Sequence, residues 1–278
     1  MLLFGAVLLW GSGCADGTLN APEVQGPADS TLFDSYVSLG NSITAGFQSG
    51  GIDSTTQSQS YAVLLAEQMN TPFGVPEFAG VGCPPPLSQF FNSDGIPAQD
   101  RPGDATDETC AFRDPQPPAR VNNVAVPGAR VVDAISNDRS VPPRSNPSPL
   151  TQFILGGRTQ VEAALDANPT FATVWVGNND VLGPALNGTA DATTTPNFVS
   201  DYTTILDNLT SEPQFQGGVL VGVVNVAYIP FFSPGPAYAG LKQAGQLPPN
   251  LNVAANCSAQ DPSTGLTARV PLPHGFSF

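Results

Sequence analysis

Short apolar runs that stand far apart in the chain, each ending in or leading into glycine or a small polar residue, constrain the fold more than any other feature. They fall at residues 35–40, 121–126, 171–176 and 218–225, and apolar runs of this length bounded by turn residues read as buried strands. Helical spacing fills part of the intervals. Ser60 stands where it would cap a helix that buries Tyr61, Leu64, Leu65 and Met69 on one face. Phe198, Tyr202, Ile205, Leu206 and Leu209 repeat with the same period just ahead of the fourth run. A third helix is expected over Leu150 to Asn168, weakened by Gly156-Gly157 in its middle. Strands alternating with helices predict an α/β fold, a doubly wound parallel sheet with helices on both faces.

The residues at the strand ends carry the chemistry. Gly40-Asn41-Ser42 follows Tyr36-Val37-Ser38-Leu39 directly, Gly128 follows the run 122–126, and Ala172-Thr173-Val174-Trp175-Val176 ends in Gly177-Asn178-Asn179-Asp180. In a parallel sheet such ends converge on one edge, in the crevice where open α/β sheets present reactive groups. Ser42 is therefore a nucleophile candidate, although Gly-Asn-Ser is also an ordinary turn favoured for local reasons. Asn178 and Asn179 are expected on an extended strand end, where neighbouring side chains point to opposite faces.

These blocks resemble the SGNH hydrolase superfamily, the GDSL lipases and esterases. Gly40-Asn41-Ser42-Ile43 stands for the serine block, with Asn for the usual Asp and Ile for the usual Leu. Gly128 stands for the second block and Gly177-Asn178-Asn179-Asp180 for the Gly-x-Asn-Asp block. The resemblance implies a flavodoxin-like SGNH fold, Ser42 as nucleophile, and an oxyanion hole made by the Ser42 N–H, the Gly128 N–H and the Asn179 side-chain amide. It implies hydrolysis of carboxylic esters, of lipids or acylated sugars, through an acyl-serine, with no cofactor and no metal.

A serine hydroxyl needs a base, and the resemblance asks for a late Asp-x-x-His. The chain has 1 histidine, His274, and three residues before it stands Pro271, so this block is unmatched. The surroundings, Val270-Pro271-Leu272-Pro273-His274-Gly275, read as an extended surface segment. The family's sheet has five strands, whereas the residues after Pro230 show no clear period. The expectation is a fold whose last strand and helix lie beyond Phe278, with the run Val219 to Val224 left as an exposed apolar edge. The alternative is a non-catalytic surface protein that uses the fold as a binding scaffold, or an inactive fragment without the catalytic histidine.

The amino terminus points to export. Leu2 to Trp10 is apolar, too short to span a bilayer, and leads into Gly11-Ser12-Gly13-Cys14. This resembles the processing site of bacterial lipoproteins, which makes Cys14 the candidate lipidation site and residues 1–14 a signal segment; a plain signal peptide is the other reading. Residues 15–30 read as a flexible tether and 31–278 as the hydrolase-like domain. Of the 4 cysteines, Cys83 and Cys110 are suspected to pair, leaving Cys257 single. The interval 71–120, with Phe73, Phe78 and Phe112, is expected either to shape an acyl pocket or to pack as a structural excursion.

Charge excludes some partners. With 9 Lys and Arg against 23 Asp and Glu the formal net charge is −14, and no basic cluster interrupts it, which argues against nucleic acid. A membrane is expected as a partner only through an anchor at Cys14. Hydrophobic residues at 41% of 278 are enough for one sizeable core, while 28 Gly and 29 Pro predict long loops around it.

Overall fold

The strand Tyr36–Gly40 has hydrogen-bonding neighbours on both sides, and the remaining elements are arranged around it. The computed structural model describes residues 31–88, 120–138, 148–187, 189–229, 232–247, 253, 257 and 269–271, and those from Leu32 onward belong to one compact unit, Leu32–Phe278. In chain order the elements are β1 (Tyr36–Gly40), α1 (Ser42–Ala45), α2 (Ser54–Ser58), α3 (Tyr61–Met69), α4 (Leu150–Leu155), α5 (Gln160–Asp166), β2 (Phe171–Trp175), α6 (Asn178–Asn187), α7 (Thr195–Thr210), β3 (Gly217–Leu220), β4 (Phe232–Pro234), α8 (Gly235–Gln243) and β5 (Arg269–Pro271). Cys14, Cys110, His274 and the segments expected as signal and tether lie outside the described residues.

The main sheet is parallel. β1 pairs with β2 from Tyr36↔Phe171 to Gly40↔Trp175, and β2 pairs with β3. On the other side of β1 runs the segment 122–126. The Ser38 N–H donates to Asn122 O at 2.9 Å, the Val124 N–H to Ser38 O at 3.0 Å and the Val126 N–H to Gly40 O at 3.2 Å. Numbered by sequence, the spatial order is second, first, third, fourth, the doubly wound order whose reversal point lies beside the first strand. The expected strand 121–126 is thus only a partial one, a single bridge at Ser38–Asn123, because the segment diverges beyond it. The expected strand 218–225 shortens to β3, and β4 with β5 forms a separate antiparallel pair.

Alternation along the strands separates two faces. Val37, Leu39, Ala172 and Val174 join the apolar core with Val161, Ala163 and Ala164 of α5 and Ile205 and Leu209 of α7. The opposite face carries hydroxyls and rings. The Tyr36 hydroxyl and the Ser38 hydroxyl each bond Thr173 Oγ1 at 2.8 Å, Phe73 stacks on Tyr36 and Tyr61 of α3 packs on Trp175. Burial pushes the Tyr36 hydroxyl up to about 12, so it remains a neutral hydrogen-bonding group throughout the physiological range. Helices therefore cover both faces, as expected.

Helix details depart from the sequence expectation in two places. Ser60 caps α3 by accepting the Val63 N–H, but the buried residues are Ala62 and Ala66, while Leu64 is 49% exposed. Small side chains let the helix sit close to its neighbours, and Tyr61 instead turns toward Trp175. The helix expected over 150–168 is two helices: Gly156 ends α4 in the left-handed conformation, and a Thr159–Glu162 capping box starts α5. From the interval 71–120, the described residues Phe73 and Phe78 are packed inward, Phe78 against Phe153. A surface cleft of about 520 Å³ lined by Val63, Glu67, Thr71 and Phe73 lies near Tyr36, at the amino end of β1 and away from Ser42.

β3 is exposed at Val219 and Leu220, and Val223 and Val224 beyond it are exposed as well. No strand pairs its outer edge among the described residues. An open apolar edge is a template for association. Val219→Lys and Leu220→Lys are expected to reduce concentration-dependent association in light scattering while shifting stability by less than about 0.5 kcal/mol, because the replaced side chains are at the surface.

Candidate active site

Ser42 is the first residue of α1, immediately past β1, and is half-buried. Asn41 starts this turn: its backbone is extended and its Oδ1 accepts the Ile43 N–H at 3.2 Å. Asn and Asp rank alike as N-caps, so the departure from the usual Asp keeps the capping bond. The far end of the turn is held from outside, since Asn123 Nδ2 donates to Thr44 O at 2.9 Å. Thr44 Oγ1 also bonds the Tyr61 hydroxyl at 3.0 Å, tying the turn to α3.

Gly128 lies two residues past Val126, the last residue bonded to β1. Its φ of +83° is in the region L side chains rarely adopt, and only Ser148 Cβ, at 4.0 Å, stands near where a Cβ would go. The glycine is required by backbone conformation, not by lack of space. At the end of β2, Gly177 has φ +118°, and a Cβ there would come within 2.7 Å of Phe198 and 2.8 Å of Val223. Both turn chemistry and packing fix that residue.

The Gly177 turn starts a helix, which corrects the expected extended geometry: Asn178 and Asn179 are the first residues of α6. Their side chains still diverge. Asn179 Nδ2 donates to Ala129 O at 2.9 Å, reaching across to the residue after Gly128. Asn178 is buried and its Oδ1 accepts the Val224 N–H at 3.3 Å, so it braces the chain beyond β3. A carboxamide nitrogen has two hydrogens. With one of them on Ala129 O, the other hydrogen of half-buried Asn179 is held in a fixed direction.

Asp180 completes the link. Its Oδ2 accepts the Val131 N–H at 2.9 Å, so Asn179 and Asp180 grip the 128–131 loop at two points. The structure thus carries Ser42, Gly128 and Asn179 on the carboxyl ends of adjacent parallel segments, at the reversal point of the strand order. Sequence reading did not single out Gln160, whose buried side-chain amide bonds both the N–H and the C=O of Gly40 at 2.9 Å. The one available signal was the Thr159-x-x-Glu162 capping box, which makes Gln160 the first residue of a helix.

Desolvation by burial raises the Asp180 carboxyl above its ordinary 3.8, against the pull of the Thr193 hydroxyl, the Val131 N–H and the Arg130 charge. A raised acid binds its proton more tightly folded than unfolded. Its contribution to stability is therefore full below the unfolded value and is lost as pH rises through the folded one. Asp180→Asn keeps an acceptor for Val131 without the charge. The Tm difference between variant and parent is expected to move in the variant's favour as pH rises above 3.8, read by calorimetry across a pH series.

The sequence model of the GDSL-like Lipase/Acylhydrolase family matches residues 36–257. Neither a curated protein nor a solved structure gives a significant match to the chain. The matched span starts at β1, contains all three strand-end blocks and takes in the parallel sheet, and on that extent of agreement the chain belongs to the GDSL-like lipase and acylhydrolase family.

Proposed function

We propose that this hydrolase is an exported serine esterase that cleaves carboxylic esters of lipids or acylated sugars through an acyl-serine. The observation that carries the reading is the fixed direction of the Asn179 amide beside the Gly128 turn, at the same sheet edge as Ser42. In the proposed first step, Ser42 Oγ adds to the ester carbonyl carbon and gives its proton to a general base. The carbonyl π electrons move onto oxygen, where the Ser42 N–H, the Gly128 N–H and the second hydrogen of Asn179 receive the charge. Collapse expels the alcohol with the proton returned, and water then hydrolyses the acyl-serine by the same sequence.

The chain's one histidine, His274, stands in a segment that the sequence reads as extended surface. Pro271 stands where an orienting Asp is usual, and this favours a second reading in which the fold serves as a non-catalytic binding scaffold. Export is supported by Cys83, which is disulfide-bonded, since disulfides persist in oxidising compartments. Cys257 is free. An anchor at Cys14 would place the enzyme on a membrane surface, and mass spectrometry of the mature amino terminus tests it: a diacylglyceryl adduct on Cys14 is the expected finding.

The two readings separate on simple esters. With p-nitrophenyl acetate and butyrate, turnover by the parent and a loss of at least about 10³-fold in Ser42→Ala are expected of the enzyme; turnover unchanged by Ser42→Ala would exclude this nucleophile. Asn179→Ala is expected to lower kcat by about 10²–10³ with little change in KM, because the bond strengthens in the transition state. Asn178→Ala acts elsewhere. Removing its buried bond to Val224 is expected to cost about 1–3 kcal/mol of stability and leave kcat nearly intact. Finding the larger kcat loss at Asn178 would reverse the assignment within Gly177-Asn178-Asn179-Asp180.

A further inference from the structure

We propose that Gln160 is the positioning residue of the nucleophile turn, its side-chain amide replacing a missing length of strand beside Gly40; the inference rests on Ser42 as nucleophile. Along the side of β1 that faces 122–126, the backbone groups are met in succession. Tyr36 O accepts from Asn122 Nδ2 at 2.8 Å. The Ser38 N–H and C=O bond Asn122 O and the Val124 N–H. At Gly40 the segment is already leaving: its C=O accepts the Val126 N–H at 3.2 Å, whereas its N–H goes to Gln160 Oε1 at 2.9 Å. Gln160 Nε2 returns to Gly40 O at 2.9 Å, closing a two-bond ring like that between paired strand residues.

A carboxamide has the donor and acceptor of a peptide group, so this substitution satisfies the buried backbone at the point where the ladder opens. Gln160 is 1% exposed and stands at the start of α5, where the Thr159–Glu162 capping box fixes the helix end. The Gly40 carbonyl belongs to the peptide plane that leads into Asn41, and the next peptide carries the Ser42 N–H. Gln160 therefore sets the entry to the turn, as Asn123 sets its exit through Thr44 O. A nucleophile and an oxyanion donor depend on that plane together, and misplacement of order 1 Å can cost about 10²-fold in rate.

Gln160→Leu and Gln160→Glu of the full chain test this with p-nitrophenyl butyrate across pH, alongside Tm and the amide NMR resonances of Gly40 and Ser42. Gln160→Leu is expected to lower kcat about 10–100-fold with KM nearly unchanged, to speed exchange of the Gly40 N–H and to move the Ser42 amide resonance. Burial raises the pKa of the new carboxyl in Gln160→Glu. Protonated, it again has a donor for Gly40 O and an acceptor for the Gly40 N–H; ionised, it has no donor. The ratio of variant to parent kcat should thus rise as pH falls, a recovery that a purely structural side chain would not give.

A folded Gln160→Leu with parental kcat and an unmoved Ser42 resonance overturns the proposal. So does a kcat ratio for Gln160→Glu that is flat in pH, which decides the matter if Gln160→Leu does not fold. Ser42→Ala measured in parallel keeps the two ideas apart. If it retains activity, the nucleophile reading fails while the Ser42 amide resonance in Gln160→Leu still judges the clamp.

Discussion

The site depends on β1 being hydrogen-bonded along both sides up to its last residue. One side is the regular ladder to β2. The other mixes backbone bonds at Ser38 and Gly40 O with side-chain amides, Asn122 to Tyr36 O and Gln160 to both groups of Gly40, and Asn123 holds Thr44 O just past the strand. All three amides are buried. A buried peptide group left unpaired costs about 1–3 kcal/mol, so a strand that must end in an accessible turn needs substitutes where its neighbour departs. Neutral carboxamides fill that need without placing a charge in the core.

The same economy of groups operates at the end of β2. Asn178, Asn179 and Asp180 are consecutive, yet each fixes a different piece of chain: Val224, Ala129 and Val131. The start of α6 thereby ties the third segment of the sheet to the loop that carries Gly128 and to the chain leaving β3. A shift in any one of these would be felt at the other two.

Much of this was legible in the sequence. The apolar runs and their polar ends gave the parallel α/β fold and the edge on which Ser42, Gly128 and Asn179 stand, because both signals are local and repeated. The Ser60 cap was equally local. The buried face of α3 was not, since Leu64 and Leu65 dominate a hydrophobic pattern while close approach to the sheet selects Ala62 and Ala66. The break at Gly156 followed from one left-handed residue that propensity alone discounts only mildly. The length of β3 is decided by a partner strand, which its own apolar sequence does not report. Gln160 was invisible for a related reason: its partner, Gly40, is 120 residues away.

The capping residue Asn41 has a consequence for acid tolerance. In the usual serine block of this superfamily an aspartate occupies this position, and a carboxylate that accepts a backbone N–H gives up part of that bond when it takes a proton. An amide has no such transition. The bond from Ile43 N–H to Asn41 Oδ1 persists unchanged in an acidic medium, as do the contacts of Asn122, Asn123 and Gln160. The entry and exit of the Ser42 turn are therefore uncoupled from the proton concentration outside, and the contact at this sheet edge that still titrates is Asp180, which holds the loop after Gly128.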